Sequence, residues 1–239
     1  MPILAIETST QWCSVAIYFS EEHYFSRHEK IDNKASQFIL PWINDLMSES
    51  SVKWSDIEAI AVSIGPGSFT GIRLGIGVAQ GLAFARKIPL VPVSSLDGML
   101  ANHLYIVKNE ISPQKLIHLL MDARMEQAYY GSYSLQSDKT VRRNGDIQLL
   151  NIKDIILNLS DAYLTFEMQS LLQNSSIIET NNIYMATPNA LGIAYCAAQN
   201  PTFNGFLPKD CFPLYVRDQV ALSIAQRALL TKKDDQGEG

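Results

Sequence analysis

Three stretches of this 239-residue chain hold residues whose types and spacing could do chemistry. The longest is Gly65-Pro66-Gly67-Ser68-Phe69-Thr70-Gly71, a glycine-rich turn that would aim backbone N–H groups at the start of a helix, where an anion can sit. It is not a Walker loop, because Ile72-Arg73 stand where the phosphate-gripping Lys and its Ser/Thr would be. Nor is it a dinucleotide fingerprint: Thr70 takes the third glycine position, and no acidic residue ends a strand about 20 residues further on. Two readings remain, an anion site to which Gly67 and Ser68 contribute, or a rigid elbow. The second stretch, Glu7-Thr8-Ser9-Thr10, places a carboxylate before three hydroxyls. That set suits Mg²⁺-bound water and phosphate oxygens, and it also suits a hydroxyl-rich hairpin turn. The third, Asp122-Ala123-Arg124, sets a guanidinium two residues from a carboxylate.

Other constellations fail on spacing. His23, His28, His103 and His118 form no HxxxH or HExxH pair, so no metal site assembles from local spacing. Cys13, Cys196 and Cys211 make no CxxC and are expected to be buried thiols. Ser9 and Ser68 have no identifiable His/Asp partner for hydrolase chemistry.

The elements that must position these stretches follow from the hydrophobic period. Ile3–Glu7, Cys13–Phe19 and His23–His28 read as three consecutive strands. Ser36–Met47 carries Phe38, Ile39, Trp42, Ile43, Leu46 and Met47 at helical spacing, with Asn33 as the expected N-cap. Pro41 either kinks that helix or lies in its first turn. Glu58–Ser63 is a strand, Ile72–Arg86 a helix and Pro89–Val93 a further strand. The order β-β-β-α-β-α-β is that of a ribonuclease-H-like module, which occurs twice in actin-like ATPases and sugar kinases. This analogy concerns fold and carries no function.

After a helix at Leu96–Val107 the pattern restarts with strands at Lys115–Met121 and Gln127–Tyr133, then a polar span, 135–150, without assignment. Next come a helix at Ile152–Leu159, a strand at Ala162–Phe166, a helix at Glu167–Leu172 and a strand at Ser176–Glu179. A helix with Thr187 as N-cap and Pro188 as its first residue runs to Gln199. Cys211–Arg217 is extended and Val220–Leu230 helical. The expected fold is α/β, with two ribonuclease-H-like (actin-like) modules at 1–100 and, shortened, at 101–230, and a polar tail at 231–239. In such a fold Glu7–Thr10 and Asp122–Arg124 fall where the two phosphate loops of an actin-like ATPase would lie. The second of those loops needs Asp-x-Gly, because only Gly lets the backbone approach phosphate closely, and Arg124 replaces that Gly. No Gly-Gly pair is present for an adenosine loop, so independent ATP hydrolysis is not expected.

The helix after the glycine-rich turn is costly. Gly71, Gly75, Gly77 and Gly81 each sacrifice about 1 kcal/mol against Ala. Together that is a large share of a domain's typical stability of about 5–15 kcal/mol. At about 100° per residue, Gly71, Gly75, Val78 and Leu82 form one stripe, with Leu74, Gly77, Gly81 and Ala85 beside it. Ile72, Ile76, Ala79 and Ala83 are expected to pack on a sheet, leaving the glycine side for a second helix, either internal or in a partner.

Composition narrows the class. With 47% hydrophobic and 18% charged residues the chain reads as an ordinary soluble globular protein. A net charge of −5 argues against a general nucleic-acid or membrane surface. No apolar run approaches the roughly 20 residues that span a bilayer, and Met1–Glu7 lacks the basic region and cleavage site of a signal peptide. A cytoplasmic location is expected.

Against that reading, ILAIETST at the start, GPGSFTGIRLGIGVAQGLAFA, VPVSSLDGML, MDARMEQAYYGSY and the late PLYVRDQVA together resemble the bacterial TsaB (YeaZ) family, in order and from residue 3 to about 221. The resemblance implies an actin-like two-module fold without catalytic activity of its own. It further implies a part in making threonylcarbamoyl-adenosine (t6A) beside the anticodon of tRNAs that read codons beginning with A. Family members pair with the catalytic paralogue TsaD and are joined by the ATPase TsaE, while TsaC supplies threonylcarbamoyl-adenylate. ATP and metal are thus expected on partner subunits, and tRNA is met through the complex. The paralogue's metal site uses an HxxxH pair on its first helix, whereas this chain has Asn33-Lys34-Ala35-Ser36-Gln37 there. The family usually carries Asp where Glu7 stands. Its pairing surface is formed by the first two helices, which implies Phe38, Ile39, Trp42, Ile43, Gly71, Leu74, Gly75, Val78, Gly81 and Leu82 as the interface, and a homodimer in the partner's absence. An actin-like kinase or a glycoprotease-like peptidase is the alternative.

Overall fold

A computed structural model describes residues 2–108, 116–136, 140–156, 161–168, 183–199 and 207–216. The strand expected at Ser176–Glu179, the helix at Val220–Leu230, the tail 231–239 and most of the helix at Glu167–Leu172 lie outside the described residues.

The first sheet contains β1 (Ile3–Glu7), β2 (Trp12–Ser20), β3 (His23–Lys30), β4 (Ala59–Ser63) and β5 (Leu90–Val93), in spatial order β3-β2-β1-β4-β5. β1, β2 and β3 are antiparallel, and β4 and β5 run parallel to β1. Every residue of β1 and β4 is buried, as parallel strands covered on both faces require. Side chains divide by the period of two: Leu4 and Ile6 face one core, Ile3 and Ala5 the other. The first core is closed by α1 (Ala35–Ser50) and α2 (Phe69–Arg86), the second by α4 (Ala190–Ala198). A helix from late in the chain therefore completes the first sheet.

The second sheet has β6 (Leu116–Asp122), β7 (Gln127–Leu135), β8 (Val141–Arg143), β10 (Ala162–Phe166) and β11 (Ile183–Met185) in order β8-β7-β6-β10-β11, with β9 (Gln148–Asn151) also on β7. Its directions repeat those of the first sheet: two antiparallel pairings on one side of β6, two parallel on the other. The polar span without assignment supplies β8 and β9.

Local expectations fare unevenly. α1 buries Ile39, Trp42, Ile43, Leu46 and Met47, one apolar stripe, and contains the exposed Pro41 within it. Asn33 is not its N-cap: a 3-10 turn over Asp32–Lys34 comes first, Lys34 N–H donating to the Ile31 carbonyl at 3.2 Å, and no side chain caps the helix. The helix expected to open on Thr187-Pro188 opens at Asn189 instead. Asn189 Oδ1 accepts from Leu191 N–H at 2.9 Å and Ser14 Oγ on β2 accepts from Ala190 N–H at 3.0 Å, so the sheet itself fixes where α4 begins. Between the sheets α3 (Ser95–Ala101) starts at Ser94, whose hydroxyl accepts from Asp97 N–H, and runs into a π turn at Asn102–Ile106. α3 crosses α4 where Gly98 meets Gly192; a Cβ on Gly192 would overlap the Gly98 carbonyl. Ile152–Asp154 is a 3-10 turn, not the start of a long helix.

Candidate functional site

The glycine-rich turn and the Glu7–Thr10 loop meet at the C-terminal ends of β1 and β4. Ser68 caps α2, its hydroxyl accepting from Gly71 N–H at 3.3 Å. Its own N–H donates to the Ser9 carbonyl at 2.6 Å, and Thr8 Oγ1 donates to the Gly71 carbonyl at 2.8 Å. Three glycines permit this contact. A Cβ at Gly67, where φ is +149°, would overlap the Ser9 carbonyl; at Gly71 it would overlap the Thr8 carbonyl, and at Gly75 the Thr8 hydroxyl. The turn and the first two turns of α2 thus lie flat on Thr8-Ser9, and each loop uses up hydrogen-bonding groups of the other.

Glu7 is fully buried beneath this contact. Burial pushes its carboxyl above the usual carboxylate range, while the Ser9 hydroxyl, the Ser9 amide and the Ser63 hydroxyl draw it back. Oε1 accepts from the Ser9 amide, but Oε2, Ser9 Oγ and Ser63 Oγ have no hydrogen bond of normal geometry. Thr10 Oγ1 accepts from Trp12 N–H at 3.1 Å, as in an ordinary turn.

The Asp122–Arg124 loop closes the β6–β7 hairpin. Asp122 Oδ1 accepts from Arg124 N–H at 2.8 Å, and the guanidinium lies 3.0 Å from Asp122 Oδ2 and 3.8 Å from Glu167. Arg124, Met125 and Glu126 all take positive φ, so the backbone turns without the glycine that a phosphate cradle needs. Gly67 and Arg124 line the same cavity of about 210 Å³, together with Phe69, Ile72, Ala123, Tyr129 and Pro213–Val216. Glu7, Thr8 and Ser9 are buried and do not line it. Among the described residues no group of three His, Cys, Asp or Glu could hold a metal ion, and no helix is long and apolar enough to cross a membrane.

The residues expected to form a partner face are only partly at the surface. Ile39, Trp42 and Ile43 are core residues and cannot form a surface; Phe38 is half-buried against Trp42 at 5.4 Å between ring centroids. Gly75 is buried, because its missing side chain admits Thr8. Gly71 serves the same loop. Leu74, Val78 and Leu82 are half-buried edges, and Gly81 is exposed with nothing within 4 Å of a built Cβ. Ile72, Ile76, Ala79 and Ala83 pack inward as expected. The open stripe is Gly77, Gly81 and Phe84, the last 81% exposed. Gly77 stood beside the stripe in the sequence reading. Phe84 was missed, although its spacing of three from Gly81 and seven from Gly77 put it on that face.

Residues 29–227 match the family model described as "TsaD: tRNA N6-adenosine threonylcarbamoyltransferase". A curated relative from Buchnera aphidicola subsp. Acyrthosiphon pisum, named tRNA threonylcarbamoyladenosine biosynthesis protein TsaB, is 31% identical over 195 residues, covering 80% of this chain and 86% of that one. A protein of the same name from Haemophilus influenzae is 36% identical over 132 residues, 54% of this chain and about half, 52%, of that relative's length. Among solved structures, YeaZ from Pseudomonas aeruginosa superposes with a TM-score of 0.74 at 29% identity, covering 90% of this chain and 99% of that one.

Proposed function

The chain belongs to the TsaB (YeaZ) family, and from that premise we propose that it is a non-catalytic scaffold subunit that pairs with TsaD and supports threonylcarbamoyl transfer to the adenosine beside the anticodon of tRNAs reading ANN codons. The reading includes TsaE joining the pair, TsaC acting only through threonylcarbamoyl-adenylate, tRNA met through the complex, and a cytoplasmic setting. It also takes the two sheets of repeated topology as the two modules of an actin-like fold.

The observation that carries it is the open stripe of α2. Gly77 and Gly81 each sacrifice about 1 kcal/mol of helix stability against Ala, and among the described residues a Cβ on either would meet nothing within 4 Å. Beside them stands an almost fully exposed Phe84. A flat, small-residue strip with an aromatic at its end suits the close approach of another helix, and Leu74, Val78 and Leu82 give it an apolar margin. The interior chemistry points the same way. The Glu7–Thr10 loop and the glycine turn hold each other, and Arg124 pairs with Asp122, so groups that would grip phosphate in an ATPase serve the fold.

Reconstitution tests it. The chain, cognate TsaD and TsaE, and threonylcarbamoyl-adenylate are mixed with unmodified tRNA, and modification is followed with and without the chain. Modification is expected to depend on it, and Gly81→Leu is expected to abolish both TsaD binding and that dependence in a folded chain. ATP turnover by the purified chain alone, lost on changing Glu7 or Asp122, would overturn the scaffold reading in favour of an enzyme.

A further inference from the structure

Residues 207–216 come back from the end of the described sequence to lie along α2. After a 3-10 turn at Pro208–Asp210 they run on without joining either sheet. Gln80 Nε2 on α2 donates to the carbonyls of Pro208 at 2.9 Å and Cys211 at 3.0 Å. Leu214 N–H donates to the Ile64 carbonyl at 2.8 Å. Arg73 Nη2 donates to Tyr215 OH at 2.6 Å, while the guanidinium lies 3.3 Å from the centroid of the Phe69 ring and 5.6 Å from that of Tyr215. Arg73 and Gln80 are seven residues apart and so share one edge of the helix, next to the open stripe. On its other side the segment faces the second sheet. Pro213–Val216 help wall the cavity of about 210 Å³ with Ala123, Arg124 and Tyr129, and Leu214–Val216 wall another of about 570 Å³ with residues between Arg143 and Leu150.

We propose that residues 207–216 form a latched strap that closes the cleft between the two sheets, with Arg73 and Gln80 on α2 as the latch. Outside the sheets, the segment is held by the Gln80 and Arg73 contacts, one backbone hydrogen bond to Ile64 and the buried Cys211, few enough anchors for it to open without global unfolding. One amide gripping two carbonyls and one guanidinium clamped between two rings are contacts that release together if α2 or the strap moves. Lifting the strap removes the wall that the two cavities share. The cavity of about 570 Å³ already falls in the range of about 300–1,000 Å³ typical of small-molecule sites, whereas the cavity beside the glycine turn reaches it only when the two are joined. The strap therefore sets whether the inter-sheet cleft is a pair of separate pockets or one open site.

Cys211 is a built-in reporter of the strap. It is 2% exposed, and burial pushes its thiol up to about 11, so it reacts slowly while the strap is down. Cys13, completely buried in β2, reports on the body of the fold. Iodoacetamide labelling of the full-length chain is followed at each cysteine by peptide mass spectrometry. In the Arg73→Ala/Gln80→Ala variant the Cys211 rate is expected to rise by about tenfold or more, with Cys13 unchanged. Tyr215→Phe, which keeps the ring and removes the hydroxyl, gives a smaller rise. Equal Cys211 rates in wild type and the double variant overturn the latch, as does a parallel rise at Cys13, which signals general loosening. Should the double variant not fold, Gln80→Leu is judged by the same two rates.

Discussion

Glu7 sits at the end of a fully buried strand with one carboxylate oxygen lacking a hydrogen bond of normal geometry, and its titration has a sign. Burial raises its pKa above the ordinary 4.5, so the folded chain holds this proton more tightly than the unfolded one. The stability so contributed is whole below that ordinary value and is lost as pH rises through the raised one. Glu7→Gln cannot ionise. Urea midpoints of wild type and variant at matched pH are expected to diverge in the variant's favour as pH rises from about 4.5 toward neutrality. A constant difference across that window would mean the carboxyl ionises without penalty in the fold. The sequence showed a carboxylate next to hydroxyls, a pattern open to Mg²⁺ or to a turn. Only the packing of Gly67, Gly71 and Gly75 onto Thr8-Ser9 decides that the loop is covered by its own chain.

α2 resolves into three faces that one composition had blurred. Ile72, Ile76, Ala79 and Ala83 lie on the sheet, Gly71 and Gly75 admit the Glu7–Thr10 loop, and Gly77 and Gly81 open outward. The glycines therefore answer oppositely to the same change. Gly75→Ala pushes a methyl into the Thr8 hydroxyl; overpacking of about 1–3 kcal/mol outweighs a helix gain of up to about 1 kcal/mol, and the urea midpoint is expected to fall. Gly77→Ala meets open space and is expected to raise it by up to about 1 kcal/mol. Identical shifts would show that the two positions share one environment. For the same reason Gly75→Leu would disrupt the contact with Thr8 and not probe a partner surface. A close helix contact through glycine occurs inside the chain at α3 and α4, where Gly98 and Gly192 touch.

At the scale of the whole molecule, two sheets of the same strand order are joined through α3, α4 and the segment 207–216. Among the described residues nothing covers the Gly77–Gly81 stripe of α2, and on the proposed reading a second copy is expected to cover it isologously in the partner's absence. Sedimentation of the purified chain is expected to show a concentration-dependent dimer, and Phe84→Glu, which changes an 81% exposed side chain without touching the core, to shift it to monomer. A dimer that persists in Phe84→Glu would place self-association on another surface.

The sequence by itself determined the order of elements through residue 93, the strands β6, β7 and β10 of the second sheet and the inward face of α2, because these follow from apolar periods of two and 3.6 acting over neighbouring residues. It also carried the family, through motifs spread along the chain. It left open which glycine admits which neighbour, since Gly71, Gly75, Gly77 and Gly81 look alike until the residue opposite each is known. It could not show that Ser14 would help fix the start of α4, 176 residues away, or that Gln80 and Arg73 would hold residues 207–216. Those contacts join segments far apart in the chain. Their partners carry no periodic signal, and only the folded arrangement brings them within hydrogen-bond reach.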